Sequence, residues 1–254
     1  MIRFPFALIA LALSVGTAAA EEVPAVLDWS ERVVLSTPVS GVVASVAVKD
    51  GERVQAGQVL LGLDDRRLRA QRERAQAQVD RLKLTVEEAE REYARAEELY
   101  DRTVISARDL QLAEIDLAMA RAELAAARAE LTSARVDLEH SVLRAPFDAI
   151  VIQTHVAEGE TVANALEVRP MISLAASGSM RARGAADSGQ LDGLRLGQAA
   201  EVAVGERRFR GQVDRIGLEP IPGEPGPRYE ISVRFETSDS ERPRVGQAAR
   251  LVLR

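Results

Sequence analysis

Apolar residues recur at heptad spacing through the middle of the chain. Between residues 64 and 140 there is no Gly and no Pro, an absence that long helices require and that strands joined by turns rarely permit. In the second half of this segment, leucines stand seven residues apart and an alanine follows each of the first four after three residues. This pattern predicts a long helix with one apolar seam. The seam residues are Leu110, Leu117, Leu124, Leu131 and Leu138, with Ala113, Ala120, Ala127 and Ala134.

The first half of the same segment predicts a second helix. Its apolar residues run in steps of three and four from Leu68 to Tyr100, and only Arg72 interrupts them. The periodicity stops in YDRTVIS, where β-branched residues replace helix formers and Ser106 is positioned to cap a new helix. We therefore predict helices over 66–100 and 106–140, two arms of equal length that pair as an antiparallel coiled-coil hairpin within residues 65–140. At 1.5 Å per residue, each arm extends about 50 Å.

Two segments on either side of the predicted hairpin have related sequences. VVASVAVKDGERV, residues 42–54, aligns without a gap to IVIQTHVAEGETV, residues 150–162, and pairs Gly51 with Gly159. Alternating apolar residues and acidic-Gly-acidic turns are typical of half-buried strands and tight turns. Each half has too few strands to be stable alone. We therefore predict one small β domain built from residues 38–64 and 141–175.

The C-terminal region, residues 176–254, changes to short alternating segments. AEVAV, FRGQV, YEISVRF and ARLVL are each short enough for one strand, and a turn-rich stretch, LEPIPGEPGPRY, separates two of them. Several short strands at this spacing predict a small β-barrel. Asp187 to Leu196 is the one short helix that we expect in it.

The N-terminal segment predicts export from the cytoplasm. Residues 1–20 carry one Arg, an apolar run and three alanines before Glu21, which is typical of a cleaved signal peptide. The apolar run is shorter than the roughly 20 residues of a membrane-spanning helix, although an uncleaved anchor is the alternative. The net charge of −6 argues against a nucleic-acid partner.

Candidate catalytic residues are scarce. The chain has no Cys, and its two histidines, His140 and His155, fall at a helix end and in a predicted strand without acidic partners at metal-binding spacing. We therefore predict no catalytic site, no metal site and no cofactor. A carrier domain that bears biotin or lipoate is a competing class, because such domains attach the group to a Lys at a hairpin turn. The only lysines, Lys49 and Lys83, are not at that turn.

The order of these segments resembles the periplasmic adaptor subunits of tripartite efflux pumps, the membrane fusion or HlyD family. The likeness rests on the two halves of a biotinyl/lipoyl-type domain, the hairpin between them and the segment LRAPFDAIV. It implies an elongated α+β fold, with an antiparallel coiled-coil hairpin inserted into a split lipoyl-like domain and a small β-barrel after it. It also implies that residues 21–37 contribute to the barrel and that the strand near RVVLSTP completes it. Many relatives carry a further membrane-proximal domain, and we expect it to be missing or vestigial here.

The resemblance also implies a function. Family members are non-enzymatic adaptors in the periplasm that link an inner-membrane exporter to an outer-membrane exit duct. We expect the same of this chain, with an exporter of the resistance-nodulation type favoured over an ATP-driven one and a homo-oligomer, a hexamer by family analogy. The alternative is a structural coiled-coil scaffold of the cell envelope without a transport partner.

The predicted tip of the hairpin carries the candidate site. Arg95, Leu99 and Ser106 are spaced as R-x3-L-x6-S, which looks like the motif with which family members bind the outer-membrane channel. Arg95 and Leu99 share one helix face at i, i+4, and we expect Ser106 to face them across the turn. The simpler interpretation is that Leu99 is a helix-end residue and Ser106 only an N-cap.

Overall fold

The computed structural model of the protein describes residues 21–163, 168–223, 225–238 and 242–253. The predicted signal peptide lies outside these residues. The chain divides into two compact units, one made of the chain up to Glu31 together with the chain from Gly178, and one made of Arg32–Ser177.

The helices and strands follow one another in an order that separates two long helices from the strands on both sides. They are β1 Glu21–Trp29, β2 Arg32–Leu35, β3 Gly41–Val46, β4 Arg53–Val54, β5 Val59–Leu63, α1 Arg66–Asp101, α2 Ala107–His140, β6 Val142–Arg144, β7 Ala149–Thr154, β8 Thr161–Val162, β9 Ile172–Ala176, β10 Ser179–Ala186, α3 Ser188–Leu191, β11 Ala199–Val204, β12 Arg207–Pro220, β13 Tyr229–Glu236 and β14 Ala248–Leu253. The helices α1 and α2 match the predicted bounds to within one residue at each end.

A closed six-stranded barrel forms the first unit. Its strands pair antiparallel in the order β1, β10, β13, β12, β11 and β14. Alternate side chains fill the interior because successive residues of a strand point to opposite faces. The predicted small β-barrel is therefore confirmed. Its largest buried side chains include Leu27, Met180, Ile231, Phe235 and Leu251.

Two details of the predicted barrel are wrong. The strand within RVVLSTP is β2, which pairs with β9 of the other unit rather than with the barrel. The N-terminal strand that completes the barrel is β1, which pairs with both β10 and β14. The short helix covers only Ser188–Leu191, because Gly193 takes a left-handed φ of 81° and turns the chain toward β11. Alternation predicts that a segment is a strand, but it does not say which sheet the strand joins.

The second unit contains two four-stranded antiparallel sheets, β2-β9-β7-β4 and β6-β5-β3-β8. The two repeated segments form equivalent turns in it. Gly51 and Gly159 both have φ of 83°, and the amide of Gly51 donates to the carbonyl of Val151 as the amide of Gly159 donates to that of Val43. Each repeat therefore hydrogen-bonds to the other. Strands from both sides of α1 and α2 share one hydrophobic core, which includes Leu60, Leu61, Val151 and Leu174.

The helices α1 and α2 pack against each other as an antiparallel hairpin. Arg121 of α2 binds Glu90 of α1 at 2.8 Å, whereas Arg135, later in α2, donates to Gln76, earlier in α1, at 2.9 Å. The buried residues follow the predicted heptads. They are Ala75, Val79, Leu82 and Val86 of α1 and Leu117, Ala120, Leu124, Ala127, Leu131 and Ala134 of α2.

Candidate docking site at the hairpin tip

Helix α1 ends at Asp101, and a turn follows in which Thr103 has a left-handed backbone conformation. The amide of Thr103 donates to the carbonyl of Tyr100 at 2.8 Å, and the amide of Val104 donates to that of Leu99 at 2.9 Å. This pair of bonds is the Schellman motif, which satisfies the last carbonyls of a helix and needs a left-handed residue after the C-cap. Thr103 fills that position with φ of 58°. The chain therefore reverses within a few residues.

The helix α2 begins with a capping box. The hydroxyl of Ser106 donates to Asp109 Oδ2 at 2.7 Å and accepts from the Asp109 amide at 3.3 Å, while the Ser106 amide donates to the same carboxylate at 3.1 Å. These bonds satisfy amides that would otherwise lack partners at the start of a helix. The hydrogen bond from the Ser106 side chain, followed by that from its amide, lowers the pKa of the Asp109 carboxyl. The Asp109 carboxylate therefore stays ionised to a lower pH than that of an unpaired Asp.

Arg95 lies on the solvent side of α1, one and a half turns before its end. Its guanidinium donates to Glu92 Oε1 at 2.9 Å, and its side chain keeps 67% of its exposure. An exposed pair of this kind stabilises a helix only slightly because water screens both charges. The guanidinium is therefore held in place weakly and can exchange Glu92 for an acceptor on another molecule.

Leu99 lies beside Arg95 in a surface groove between the two helices. The groove has an apolar floor and charged rims, because carboxylates of both helices flank it. Its lining residues are Ala89, Glu92, Arg95, Ala96, Leu99, Ile105, Asp109, Leu112, Ala113 and Asp116. An apolar side chain from a partner would fit the floor while Arg95 bound a carboxylate or carbonyl at the rim.

The structure brings two of the three predicted residues together. Arg95 and Leu99 line the same groove, whereas Ser106 does not line it and uses its hydroxyl in the cap. Sequence reasoning assigned Tyr100 to the seam, yet it is 42% exposed, and Val104 at the turn is 64% exposed. These two residues extend the apolar surface of the tip. The steps of three and four continue through Tyr100, so no signal in the sequence predicted its exposure, whereas Val104 lies where the periodicity stops.

The other candidate residues lie in ordinary surroundings. Lys83 pairs with Asp80 within α1 at 3.2 Å, and Lys49 belongs to the turn before β4. Nε2 of His155 is 2.8 Å from the Ser173 hydroxyl. Over the ranges that the structure describes, His, Cys, Asp and Glu side chains do not gather in groups that could hold a metal ion. Nor do these ranges contain a helix with the length and apolar character needed to cross a membrane.

Comparison with known proteins connects this fold to a family. The family described as CzcB-like, barrel-sandwich hybrid domain matches residues 31–170, which is more than half of the chain. The match spans β2 to the last residues before β9 and includes the whole hairpin. No match to a curated protein was found.

Solved structures share the fold at low sequence identity. The membrane fusion protein Spr0693 from Streptococcus pneumoniae R6 is 16% identical, with a TM-score of 0.72 over 92% of this chain and 99% of that one. A MacA-MexA chimeric protein containing the Pseudomonas aeruginosa MexA α-hairpin domain is 20% identical, with a TM-score of 0.67 over 91% and 77%. A putative efflux transporter from Bacteroides eggerthii is 17% identical, with a TM-score of 0.59 over 91% and 67%. The predicted resemblance is confirmed, and the chain belongs to the CzcB-like barrel-sandwich hybrid domain family, with the fold of the membrane fusion proteins.

Proposed function

We propose that this protein is a non-enzymatic periplasmic adaptor that links an inner-membrane exporter to an outer-membrane channel. The observation that carries the proposal is the tip of the hairpin, where Arg95 and Leu99 line one surface groove between α1 and α2. Neither residue is needed for the buried seam, which Val79, Leu82 and Val86 supply on α1. Their value therefore lies in a partner.

The shape and chemistry of the groove favour a helical partner. An apolar floor flanked by charges accepts an amphipathic helix, whose apolar residues fill the floor while its polar residues meet the rims. Arg95 supplies a planar fork of donors for a carboxylate or for carbonyls at a helix C-terminus. The α-helical end of an outer-membrane exit duct is a partner of this chemistry. Ser106 contributes by fixing the start of α2 and thereby the width of the groove.

The same proposal covers the rest of the architecture. We interpret α1 and α2 as an antiparallel coiled coil inserted between the halves of a lipoyl-like domain, supported by the heptad burial and by the core that both halves share. We keep the domain bounds predicted from the sequence as part of this proposal, except that β2 pairs with β9 and not with a strand of the barrel. The exporter, of the resistance-nodulation or the ATP-driven type, would bind the adaptor as a homo-oligomer, a hexamer by family analogy. A cleaved signal peptide would deliver it to the periplasm.

Site-specific cross-linking from the tip tests the docking. Because the natural chain has no Cys, Val104→Cys gives one reactive thiol on an exposed tip residue. A benzophenone attached there should capture an outer-membrane channel protein in cell envelopes, identified by mass. Adding Arg95→Asp or Leu99→Asp should abolish capture, because each removes a group that lines the groove.

Matched variants separate docking from folding. Arg91→Asp is the control for Arg95→Asp, since Arg91 also pairs with a glutamate of α1 and has nearly the same exposure but does not line the groove. Ser106→Asn retains a side chain that can cap the helix, whereas Ser106→Ala loses the cap at about 1 kcal/mol. If capture survives both Arg95→Asp and Leu99→Asp, the docking proposal is wrong. If Val104→Cys captures no channel protein when Arg95 and Leu99 are both unchanged, a structural scaffold becomes the better interpretation.

A further inference from the structure

Leu218, near the end of β12, is the most exposed large apolar residue in the ranges that the structure describes. It is 92% exposed. The strand bulges between Ile216 and Pro220, so that three of its residues lie opposite Glu230 alone. A Cβ added at Gly217 would lie 3.0 Å from the backbone nitrogen of Glu230. The bulge is therefore closely packed against β13, and it holds Leu218 in solvent.

Leu196 is displayed in a similar way in the turn before β11. It is 67% exposed. The amide of Gln198 donates to the carbonyl of Arg195 at 3.1 Å, and the amide of Arg195 donates to Gln198 Oε1 at 3.0 Å. The amide of Gly197 donates to the carbonyl of Val213 in β12 at 2.8 Å. These bonds tie the turn to the barrel, so Leu196 projects into solvent from a fixed backbone.

Both leucines belong to the same end of the barrel. Because neighbouring strands are antiparallel, the end of β12 lies beside the starts of β11 and β13, and β10 also ends there. The strand β1 begins at this end too, since Ala25 pairs with Gly184, two residues before β10 ends. We call this part of the barrel the loop end. It consists of the start of β1 and residues 187–198 and 217–228.

An apolar groove lies on the outer wall of the barrel close to the loop end. Pro24 and Val26 of β1, Ala185 of β10 and Ile221 after β12 are among the residues that line it. Val26 is 50% exposed. The groove therefore adds to the apolar surface that Leu218 and the loop after it present.

The loop between β12 and β13 has few backbone donors. The amide of Ile221 donates to the carbonyl of Arg228 at 2.7 Å. A backbone donor without a partner is costly in apolar surroundings, and proline has none. The loop can therefore leave water at a lower cost than an ordinary loop of its length. Its prolines are Pro220, Pro222, Pro225 and Pro227.

The loop end does not attract anions through its net charge. Residues 187–198 and 215–230 together contain three arginines and five acidic residues. Arg215 pairs with Glu230 at 3.8 Å, whereas the guanidinium groups of Arg195 and Arg228 have no ion pair among the described residues. Two guanidiniums can bind phosphate groups locally. Attraction to a large surface at this end must nevertheless come from the apolar side chains.

The N-terminal apolar run connects the loop end to a membrane. Residues 4–15 form this run, and residues 16–20 separate it from the start of β1. An extended chain spans at most about 3.6 Å per residue, so the linking residues reach no more than about 20 Å. As a signal peptide or as an uncleaved anchor, the run enters the membrane during export. The loop end is therefore delivered close to a bilayer surface.

We propose that the loop end of the barrel binds the surface of a phospholipid bilayer, with Leu196, Leu218 and Ile221 inserted among the lipids. Lipid suits these side chains better than a protein partner, because the loop has few backbone donors and β1 follows a segment that enters the membrane. Arg195 and Arg228 then lie at the level of the lipid phosphates. The contact needs neither the exporter nor the hairpin tip, so it is tested separately from the docking proposal.

A fluorophore at each end of the barrel tests the contact on the purified, exported protein. Because the natural chain has no Cys, an NBD group can be attached to Pro222→Cys at the loop end or to Glu206→Cys in the turn between β11 and β12 at the opposite end. With phosphatidylcholine vesicles, NBD emission from Pro222→Cys should shift to the blue and rise, whereas that from Glu206→Cys should not change. Phosphatidylglycerol vesicles should give no stronger response, because the loop end is not basic.

Serine substitutions test the inserted side chains. Leu196→Ser combined with Leu218→Ser should weaken vesicle binding at least about tenfold, since two apolar side chains no longer leave water. Both residues are exposed, so the thermal midpoint of Trp29 fluorescence should stay unchanged. Leu84→Ser is the matched control, because Leu84 is 65% exposed but lies on α1, and it should bind vesicles as the wild type does. Wild-type binding by the double variant would overturn the proposal.

Three other outcomes also contradict the proposal. A response from both fluorophores indicates adsorption without preference for the loop end. The absence of a response from either indicates that the barrel does not contact lipid. A benzophenone attached to Pro222→Cys in cell envelopes distinguishes a protein partner: if it captures an inner-membrane protein while vesicles give no response, the exporter and not the bilayer covers the loop end.

Discussion

Thr103 has the most constrained backbone among the residues of the hairpin tip. Its φ of 58° makes it the one residue other than glycine with a positive φ in the part of the chain that the structure describes. A left-handed conformation costs residues with a Cβ about 1–2 kcal/mol, and β-branched side chains are the least tolerant of it. Two hydrogen bonds to the end of α1 hold Thr103 in this state, and the cost falls at the tip, beside the proposed docking groove.

Replacing Thr103 by Gly should therefore stabilise the hairpin. Glycine adopts this φ without a steric cost but orders a freer chain, so we expect a net gain of up to about 1 kcal/mol in the free energy of unfolding. Urea unfolding followed by ellipticity at 222 nm measures it. Thr103→Ala is the control, because it keeps a Cβ and should gain less. A destabilised Thr103→Gly would show that the threonine side chain stabilises the turn by more than its strain.

Residues of the tip differed in how well the sequence predicted them. Ser106 was expected as a cap because it stands three residues before an acidic residue and after a break in periodicity, and both halves of the capping box are present. The left-handed Thr103 was not expected, because threonine gives no local signal for positive φ. The exposure of Tyr100 depends on where the two helices diverge, which a heptad pattern alone does not specify. Arg95, Leu99 and Ser106 as docking residues stay a prediction.

Heptad spacing predicted α1 and α2 because it is a local property repeated many times. Each additional Leu or Ala in step lowers the chance of coincidence, and the absence of Gly and Pro supports the same interpretation. The same reasoning missed the exposed apolar residues of α2, since a search for one seam stops at the leucines. These residues are Leu112, Ile115, Met119 and Val136.

A proline in the middle of α2 should destroy the hairpin. Leu124→Pro removes a backbone hydrogen bond and a buried side chain, and an interior proline costs about 3 kcal/mol. Circular dichroism should show a large loss of helix. Ala107→Pro is the matched control in the same helix, because proline is tolerated in the first helical position and should leave the helix content unaltered. Unchanged helicity in Leu124→Pro would contradict the packing of α1 on α2.

The whole molecule has separate hydrophobic cores, and this explains which part of the topology could be predicted. The two cores that contain strands draw them from distant parts of the chain: the barrel joins β1 to strands after residue 178, and the other unit joins β2 to β9. Both β1 and β2 alternate, so pattern alone could not assign them. The partner of a strand depends on pairing with residues far away in the sequence. In β2, Arg32–Leu35 pairs with Ile172–Ala175, and the alternation of β2 alone does not specify this partner.

Gly211 gives a test that reports on the barrel core alone. It stands opposite Phe235 across β12 and β13, and a Cβ there would lie 2.6 Å from the carbonyl oxygen of Arg234 and 2.7 Å from Cγ1 of Val233. The carbonyl oxygen belongs to the backbone and cannot move without shifting β13, so Gly211→Ala should destabilise the barrel by about 1–3 kcal/mol. The single Trp of the chain, Trp29, lies in β1, whereas α1 and α2 supply nearly all the helical ellipticity.

The two signals therefore separate the effects in one heating experiment. In Gly211→Ala, the fluorescence transition of Trp29 should move several degrees lower while the transition at 222 nm keeps its wild-type midpoint, because the hairpin has a core of its own. Gly189→Ala is the matched control, since a Cβ there meets only Asp187 Oδ1 at 3.4 Å, and it should leave the Trp29 transition in place. A Gly211→Ala variant that shifts both transitions equally would show that the molecule unfolds as one cooperative unit. An unshifted Trp29 transition would show that β12 and β13 are not packed as closely as the structure describes.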